Sequence, residues 1–191
     1  MTAASRADRP SRELDELTVS RAVRGEGAAT RALVTHYQRP VFALLGRMLR
    51  PRAADRVEDL AQETFLRVFR ALPEFKLAGT ARLSTWILTI ATRLALDELA
   101  RRPPREDVEA ELAGGPRGDA ELERRLIGAA IERAVAALGA DHQAVFLLRE
   151  VHELEYDEIA RALEIDLGTV KSRLGRARAA LRQALQGVRH G

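Results

Sequence analysis

Apolar residues in this chain recur at intervals of three and four. From Asp55 to Leu72 the apolar positions Val57, Leu60, Ala61, Phe65, Val68 and Leu72 fall on one stripe, the mark of an amphipathic helix with one buried face. The pattern predicts a long helix from Ala28 to Arg50, kinked or split by Pro40, which lacks the amide donor a helix interior needs. A further helix is expected from Leu83 to about Arg101, ending before Pro103-Pro104. No period-two alternation persists, so the expected fold class is all-α. PPREDVEAELAGGPRGD, residues 103–119, breaks the periodicity and reads as a flexible linker. Helices resume near Leu122. The expected organisation is a disordered tail (1–12), an N-terminal domain (13–102), a linker (103–121) and a C-terminal domain (122–191).

The last two helices have a particular layout. YDEIARAL, Tyr156 to Leu163, is a short helix with Ile159 and Leu163 on one face. Glu164-Ile165-Asp166 connects it to the next, and Asp166 is a plausible N-cap. In that next helix Val170, Leu174, Ala177, Leu181 and Leu185 share one stripe. Small Ala160 lets the pair cross closely, as in a helix-turn-helix whose second helix enters the major groove. With Val170 inward, Gly168, Lys171, Ser172, Gly175 and Arg176 point outward near the helix start and can reach base edges. Arg173, Arg178 and Arg182 sit on the flanks and suit phosphates. Neutralising four phosphates gives a salt slope of about −3.6. The plainer alternative is a solvated basic helix closing a bundle.

Charge sharpens this picture. The 191 residues carry a net charge of only +3, so any preference for nucleic acid must come from local patches. After Asp166 there are six basic residues and no acidic one. From Asp141 to Glu158 there are six acids and one arginine, a stretch that repels DNA. There is no cysteine, which removes disulfides, thiol nucleophiles and cysteine–zinc sites. No apolar run approaches the length of a membrane span, and a cytoplasmic protein is expected. His36, His142, His152 and His190 form no metal-spaced pair. Gly114 to Gly118 lacks the Lys-Ser/Thr of a phosphate loop. No metal, cofactor or catalytic set is expected.

The N-terminal half offers two surfaces. Asp59, Gln62 and Glu63 lie away from the apolar stripe of their helix. Acceptors fixed on a helix suit an arginine-bearing partner, although an ordinary solvated acidic face looks the same. From Lys76 to Arg105 six basic residues face two acids, with Phe75 and Trp86 at the start. Cations beside aromatics suit an unstacked single strand. A base held outside the stack costs a few kcal/mol of unpairing that its pocket must offset. Trp86, in Trp86-Ile87-x-x-Ile90, fits a core position equally well.

The order of motifs narrows the reading. YDEIARALEIDLGTVKSRLGRARAAL strongly resembles the promoter-reading segment of bacterial sigma factors of the extracytoplasmic-function (ECF) type, in the sigma-70-like superfamily. Upstream, ALVTHYQRPVFALLGRML, DRVEDLAQETFLRVFRALPEF and ARLSTWILTIATRLALDELARR resemble that family's other domain, in its usual order. The resemblance spans residues 14–102 and 122–187. It implies a protein without catalysis of its own that joins core RNA polymerase, directs it to promoters and helps melt DNA. The first domain would read the −10 element as a single strand through Phe75, Lys76, Arg82, Ser84, Thr85, Trp86 and Arg93. The second would read the −35 duplex through Gly168, Thr169, Lys171, Ser172, Arg173, Gly175, Arg176 and Arg178. The polymerase β′ coiled coil would meet Asp59, Gln62 and Glu63, with Leu60 and Phe65 nearby. The β flap tip would meet the segment before the helix-turn-helix, and an anti-sigma protein is a further possible partner. Two features depart from the family pattern. The loop FKLAGTARLSTW is about two residues longer than the commonest form, and Arg93 stands where relatives usually carry asparagine. Both bear on −10 base preference. The competing reading is a one-component helix-turn-helix repressor or activator, which predicts duplex binding by the free protein, commonly as a dimer.

Overall fold

The computed structural model describes residues 13–50, 52–75, 82–102 and 120–186, with side chains of the last segment described from residue 125. Eight α-helices occur among the described residues: α1 (Glu16–Val23), α2 (Gly27–Leu49), α3 (Val57–Ala71), α4 (Leu83–Arg101), α5 (Ala120–Ala136), α6 (Ala140–Phe146), α7 (Tyr156–Leu163) and α8 (Leu167–Gln186). No strand occurs among the described residues. The expected helices are present, and α5 begins two residues before Leu122.

Helix α1 is an addition that periodicity did not announce. Its start is set by Asp15, whose carboxylate accepts from the Thr18 amide at 2.9 Å, an N-cap that satisfies a donor the helix leaves free. Its end is set by Gly25 at φ 78°. There the Gly25 amide donates to the Ala22 carbonyl and that of Glu26 to Arg21, closing a Schellman turn that needs the left-handed conformation glycine tolerates.

Helix α2 is the spine of the first half. It runs unbroken through Pro40, so the proline neither splits nor ends it. Leu33, Val41, Leu44, Leu45, Met48 and Leu49 are fully buried, against α1, α3 and α4. That many buried stems outweigh the roughly 3 kcal/mol a mid-helix proline costs. Around it, α3 is flanked by 3-10 turns at Ala54–Arg56 and Leu72–Glu74.

In the second half α8 packs on α5, α6 and α7. Val145, Leu147, Leu148, Ile159, Val170, Leu174 and Ala177 form its core. Between α6 and α7 the chain makes a π-helical turn over Leu147–Val151, with the His152 amide reaching the Leu147 carbonyl at 3.0 Å.

The halves are packed together into one continuous apolar cluster. Helix α2 meets α5 and α6, and α4 meets α6 and α7. The fully buried Gln143 of α6 donates its side-chain amide to the Arg47 carbonyl, 2.8 Å away, in the last turn of α2. Carbonyls there have no partner within their own helix, so the second half caps the spine of the first.

Candidate nucleic-acid interfaces and docking face

Helix α8 owes its position to its first turn. Asp166 accepts the Thr169 amide at 2.8 Å and the Thr169 hydroxyl at 2.5 Å. These bonds, the hydroxyl first, hold the Asp166 carboxyl below its ordinary range. Gly168 has a structural reason to be glycine, since an added Cβ would lie 2.9 Å from the Asp166 carboxylate oxygen. Gly168 and Thr169, expected at the DNA face, therefore both serve the cap. Because the Asp166 pKa is lower folded than unfolded, its contribution is complete above the usual carboxylate range near 3.9. It is lost as pH falls through the depressed value. Acid unfolding followed by circular dichroism should lose this component in Asp166→Asn, which still caps at neutral pH. An acid limb identical to wild type would rule out the carboxylate's role.

Past the cap, Lys171, Ser172, Gly175 and Arg176 are exposed. An added Cβ at Gly175 would meet nothing within 4 Å, so no internal packing requires a glycine there. The two arginines on the inner flank are already engaged. Arg173 is 3.0 Å from Asp141, and Arg178 donates to Glu150 through Nε at 3.0 Å and a terminal nitrogen at 2.5 Å. That hydrogen bond raises the Arg178 pKa further. Asp141 and Glu150 thus anchor the cationic helix to the module beneath it.

Phe75, at the end of the Leu72–Glu74 turn, and Trp86 of α4 stack with ring centroids 4.9 Å apart, both partly buried against the core. The structure supports the core reading of Trp86 while leaving one edge in a cleft. Arg82 is exposed. Ser84 is tied by its hydroxyl and its amide to Glu13. Thr85 is buried and donates to Glu158 at 3.0 Å. Arg93 donates to the Ala162 carbonyl and to Glu164, both at 2.9 Å. Thr85, Trp86, Ile90 and Arg93 therefore share a cleft of about 330 Å³ with Glu158 and Ala162 of α7. Lys76 lies outside the described residues.

On α3, Asp59 and Gln62 are exposed and Glu63 is half-buried. Leu60 and Phe65 are 6% and 8% exposed. They belong to the core and back the face instead of forming it, because they fall on the inward stripe of α3. Sequence reading missed Leu66, 43% exposed beside them; a leucine outside the apolar stripe was the available signal. Local cations already sit on this face: Arg56 bonds Asp59, and Arg67 bonds Glu63 at 2.8 Å. Behind it, the largely buried Glu98 takes Arg102 at 3.0 Å and Arg56 at 3.5 Å. Arg102 also reaches Asp55 at 3.1 Å, holding that carboxyl low.

A groove lies between α2 and α5. Phe42 and Ile131, each 41% exposed, flank it, with Gly46, Gly128, Arg47 and Arg50 along its walls. Neither glycine has an atom within 4 Å of where a Cβ would sit. No group of three or more potential ligands for a metal ion occurs among the described residues, and no described helix is long and apolar enough to cross a membrane.

Comparison with known proteins finds two family matches. The family described as Sigma-70 region 2 matches residues 33–103, and Sigma-70, region 4 matches residues 128–181. The chain is 35% identical over 189 residues to the RNA polymerase sigma-H factor of Pseudomonas aeruginosa, covering 92% of this chain and 96% of the relative. It is 32% identical over 185 residues to the ECF RNA polymerase sigma-E factor of Escherichia coli K12, covering 90% and 94%. Among solved structures, CnrH in complex with the cytosolic domain of CnrY aligns with a TM-score of 0.66 at 21% identity, covering 91% of this chain and 97% of that one. The sigma factor RpoE in complex with the anti-sigma factor NepR from Bartonella quintana aligns at 0.63 and 21%, covering 82% and 96%. At that identity the two structures bear on fold alone.

Proposed function

The chain belongs to the sigma-70 superfamily as an ECF-type RNA polymerase sigma factor, and from that premise we propose how its surfaces divide the work. An ECF sigma factor binds core RNA polymerase, directs promoter recognition and assists DNA melting in transcription initiation. In this chain α3 docks on the β′ coiled coil through Asp59, Gln62, Glu63 and the exposed Leu66. Helix α8 reads the −35 duplex through Lys171, Ser172, Gly175 and Arg176. Helix α4 and the loop before it hold the −10 strand, and the segment from α6 to α7 meets the β flap. The protein works in the cytoplasm and carries no catalysis of its own; the chemistry is the polymerase's.

The observation that carries this reading is the presence on one chain of three surfaces of different chemistry: an acceptor-bearing helix, an aromatic–cation cleft and an acid-free basic helix face. A duplex-only repressor needs only the last. Transcription reconstituted with purified core polymerase on a promoter library tests it. Specific start sites are expected, and their absence with competent core would leave the one-component repressor standing.

Gly175 sharpens the −35 reading. A glycine inside a helix costs about 1 kcal/mol relative to alanine, and no internal contact requires this one. Gly175→Ala should therefore raise thermal stability while weakening duplex binding, the missing side chain having allowed close backbone approach. Tighter or unchanged −35 affinity would show that the groove does not come near.

Arg93→Ala should weaken open-complex formation, read by permanganate footprinting, more than it weakens polymerase binding. Equal losses in both would count against a role at the −10 strand. An anti-sigma protein would seat an acidic, amphipathic helix in the α2–α5 groove, apolar residues against Phe42 and Ile131 and carboxylates toward Arg47 and Arg50. Phe42→Ser with Ile131→Ser should preserve transcription and relieve inhibition by the cognate inhibitor. Undiminished inhibition would remove the groove from consideration.

A further inference from the structure

Helix α4 starts without a cap of its own. The residue at its N-cap is Arg82, whose side chain makes no capping bond, and the first turn holds no acidic residue. A helix begins with amides that have no partner inside it and with the positive end of its dipole. Serine, threonine, aspartate or asparagine at the cap position supplies an acceptor for those amides. Arginine cannot. Yet the start of α4 carries four of the side chains proposed for the −10 strand: Arg82, Ser84, Thr85 and Trp86.

The missing acceptor comes from Glu13, 71 residues earlier in the chain. One carboxylate oxygen lies 3.3 Å from the Ser84 amide, and the other takes the Ser84 hydroxyl. Ser84 is the second residue of α4, one of the two positions whose amide a cap side chain ordinarily accepts. Glu13 is itself held in place. Tyr37 of α2, 2% exposed, donates its hydroxyl to a Glu13 oxygen at 3.3 Å and accepts the Leu14 amide at 3.0 Å. Burial pushes the Tyr37 phenol up to about 12, so it keeps the proton it donates across the neutral range. Leu14 packs partly buried against the core, and Asp15 caps α1. Three consecutive residues are thereby tied to α4, α2 and α1 in turn.

We propose that Glu13 is a positioning residue for −10 recognition, an acceptor lent from outside α4 that fixes the helix's first turn on the buried Tyr37 hydroxyl and so sets how Arg82, Thr85 and Trp86 are presented to the strand. The inference rests on the reading of α4 as the single-strand surface. Recognition side chains hold their geometry only when neighbouring hydrogen bonds lock the backbone that carries them. A carboxylate close to DNA would otherwise repel it. Here both oxygens are spent on donors and the charge faces the positive helix end, so support outweighs repulsion. Glu13 belongs neither to the acceptor face of α3 nor to α8, and polymerase docking and the −35 contact do not depend on it.

The test uses holoenzyme reconstituted from core polymerase and the full-length chain, with two fluorescein-labelled forks of a promoter that the wild type transcribes. Both carry the −35 duplex; one exposes the native −10 strand and the other a strand of scrambled sequence. Glu13→Ala should lower the preference for the native fork by about fivefold, within the range that lost caps produce. Core affinity and affinity for the isolated −35 duplex should not change. Glu13→Gln, which keeps an oxygen acceptor for Ser84, should recover most of the preference. Asp15→Ala removes the neighbouring cap of α1 without touching Ser84, and its preference should match wild type. Unchanged preference in Glu13→Ala, or tighter binding to both forks, overturns the positioning role. An equal loss in Asp15→Ala also overturns it, because the effect would then follow the stability of the segment and not the bond to Ser84. A wild-type holoenzyme that does not distinguish the two forks sinks the underlying reading of α4 instead.

Discussion

Truncating Leu174 to alanine is expected to melt the second half of the molecule while sparing the first. Leu174 is 1% exposed, in the stripe of α8 that packs on α5, α6 and α7. Removing its branched end forfeits the transfer energy of the lost carbons and leaves a cavity, typically 2–5 kcal/mol for such sites. A module of this size has a total stability of only about 3–10 kcal/mol. The loss is therefore a large fraction of what holds it together. Hydrogen exchange should show amides of α6, α7 and α8 losing protection, with α2 and α3 changed far less. Duplex binding should fall with the folded population, and core polymerase binding through α3 should persist in part. Uniform loss of protection across both halves would mean that the continuous core makes them one cooperative unit.

The second large effect belongs to the docking face. Asp59→Arg combined with Glu63→Arg should cost core polymerase binding at least a hundredfold, about 2.7 kcal/mol, without unfolding the chain. Both carboxylates sit at the surface of α3, where their bonds to Arg56 and Arg67 are of the kind worth about 0–1 kcal/mol. The fold loses little when they go. A partner cation desolvated against them loses much more, because reversal leaves like charges in contact. Fluorescence anisotropy of labelled protein titrated with core measures the first quantity and thermal melting the second. Wild-type affinity with an unchanged melt would place the docking face elsewhere, with Leu66 and its neighbours on α4 the next surface to probe.

Much of this fold was legible because its helices are amphipathic. The stripes of α3 and α8 mark their buried faces, with Val57 and Leu185 at the ends only half-buried, and the outward set Lys171, Ser172, Gly175 and Arg176 follows by subtraction. Pro40 was harder: a local rule says break, and only the burial of α2 on three sides overrides it. Helix α1 escaped notice because its apolar residues share no single face, Leu17 being exposed while Val19 and Ala22 are buried, although Asp15 and Gly25 mark its ends. Gly168 and Thr169, expected at the DNA face, also build the Asp166 cap, a second use that periodicity does not announce. The seam between α4 and α7 was not legible at all. Periodicity says which face of a helix is buried or exposed, and nothing in it says that Arg93 and Glu164 meet.

The π-helical turn at Leu147–Val151 carries one residue more than an α-turn requires. Deleting one would regularise the ladder, a single genetic step toward a tidier backbone. It would also swing the residues on one side of the deletion by about 100° relative to the other, carrying Glu150 away from Arg178 and turning the azimuth at which α8 is presented. The surplus residue acts as a phase setting for α8, the helix proposed to read the promoter, and shortening the segment by one would mis-clock the protein before it unfolded it.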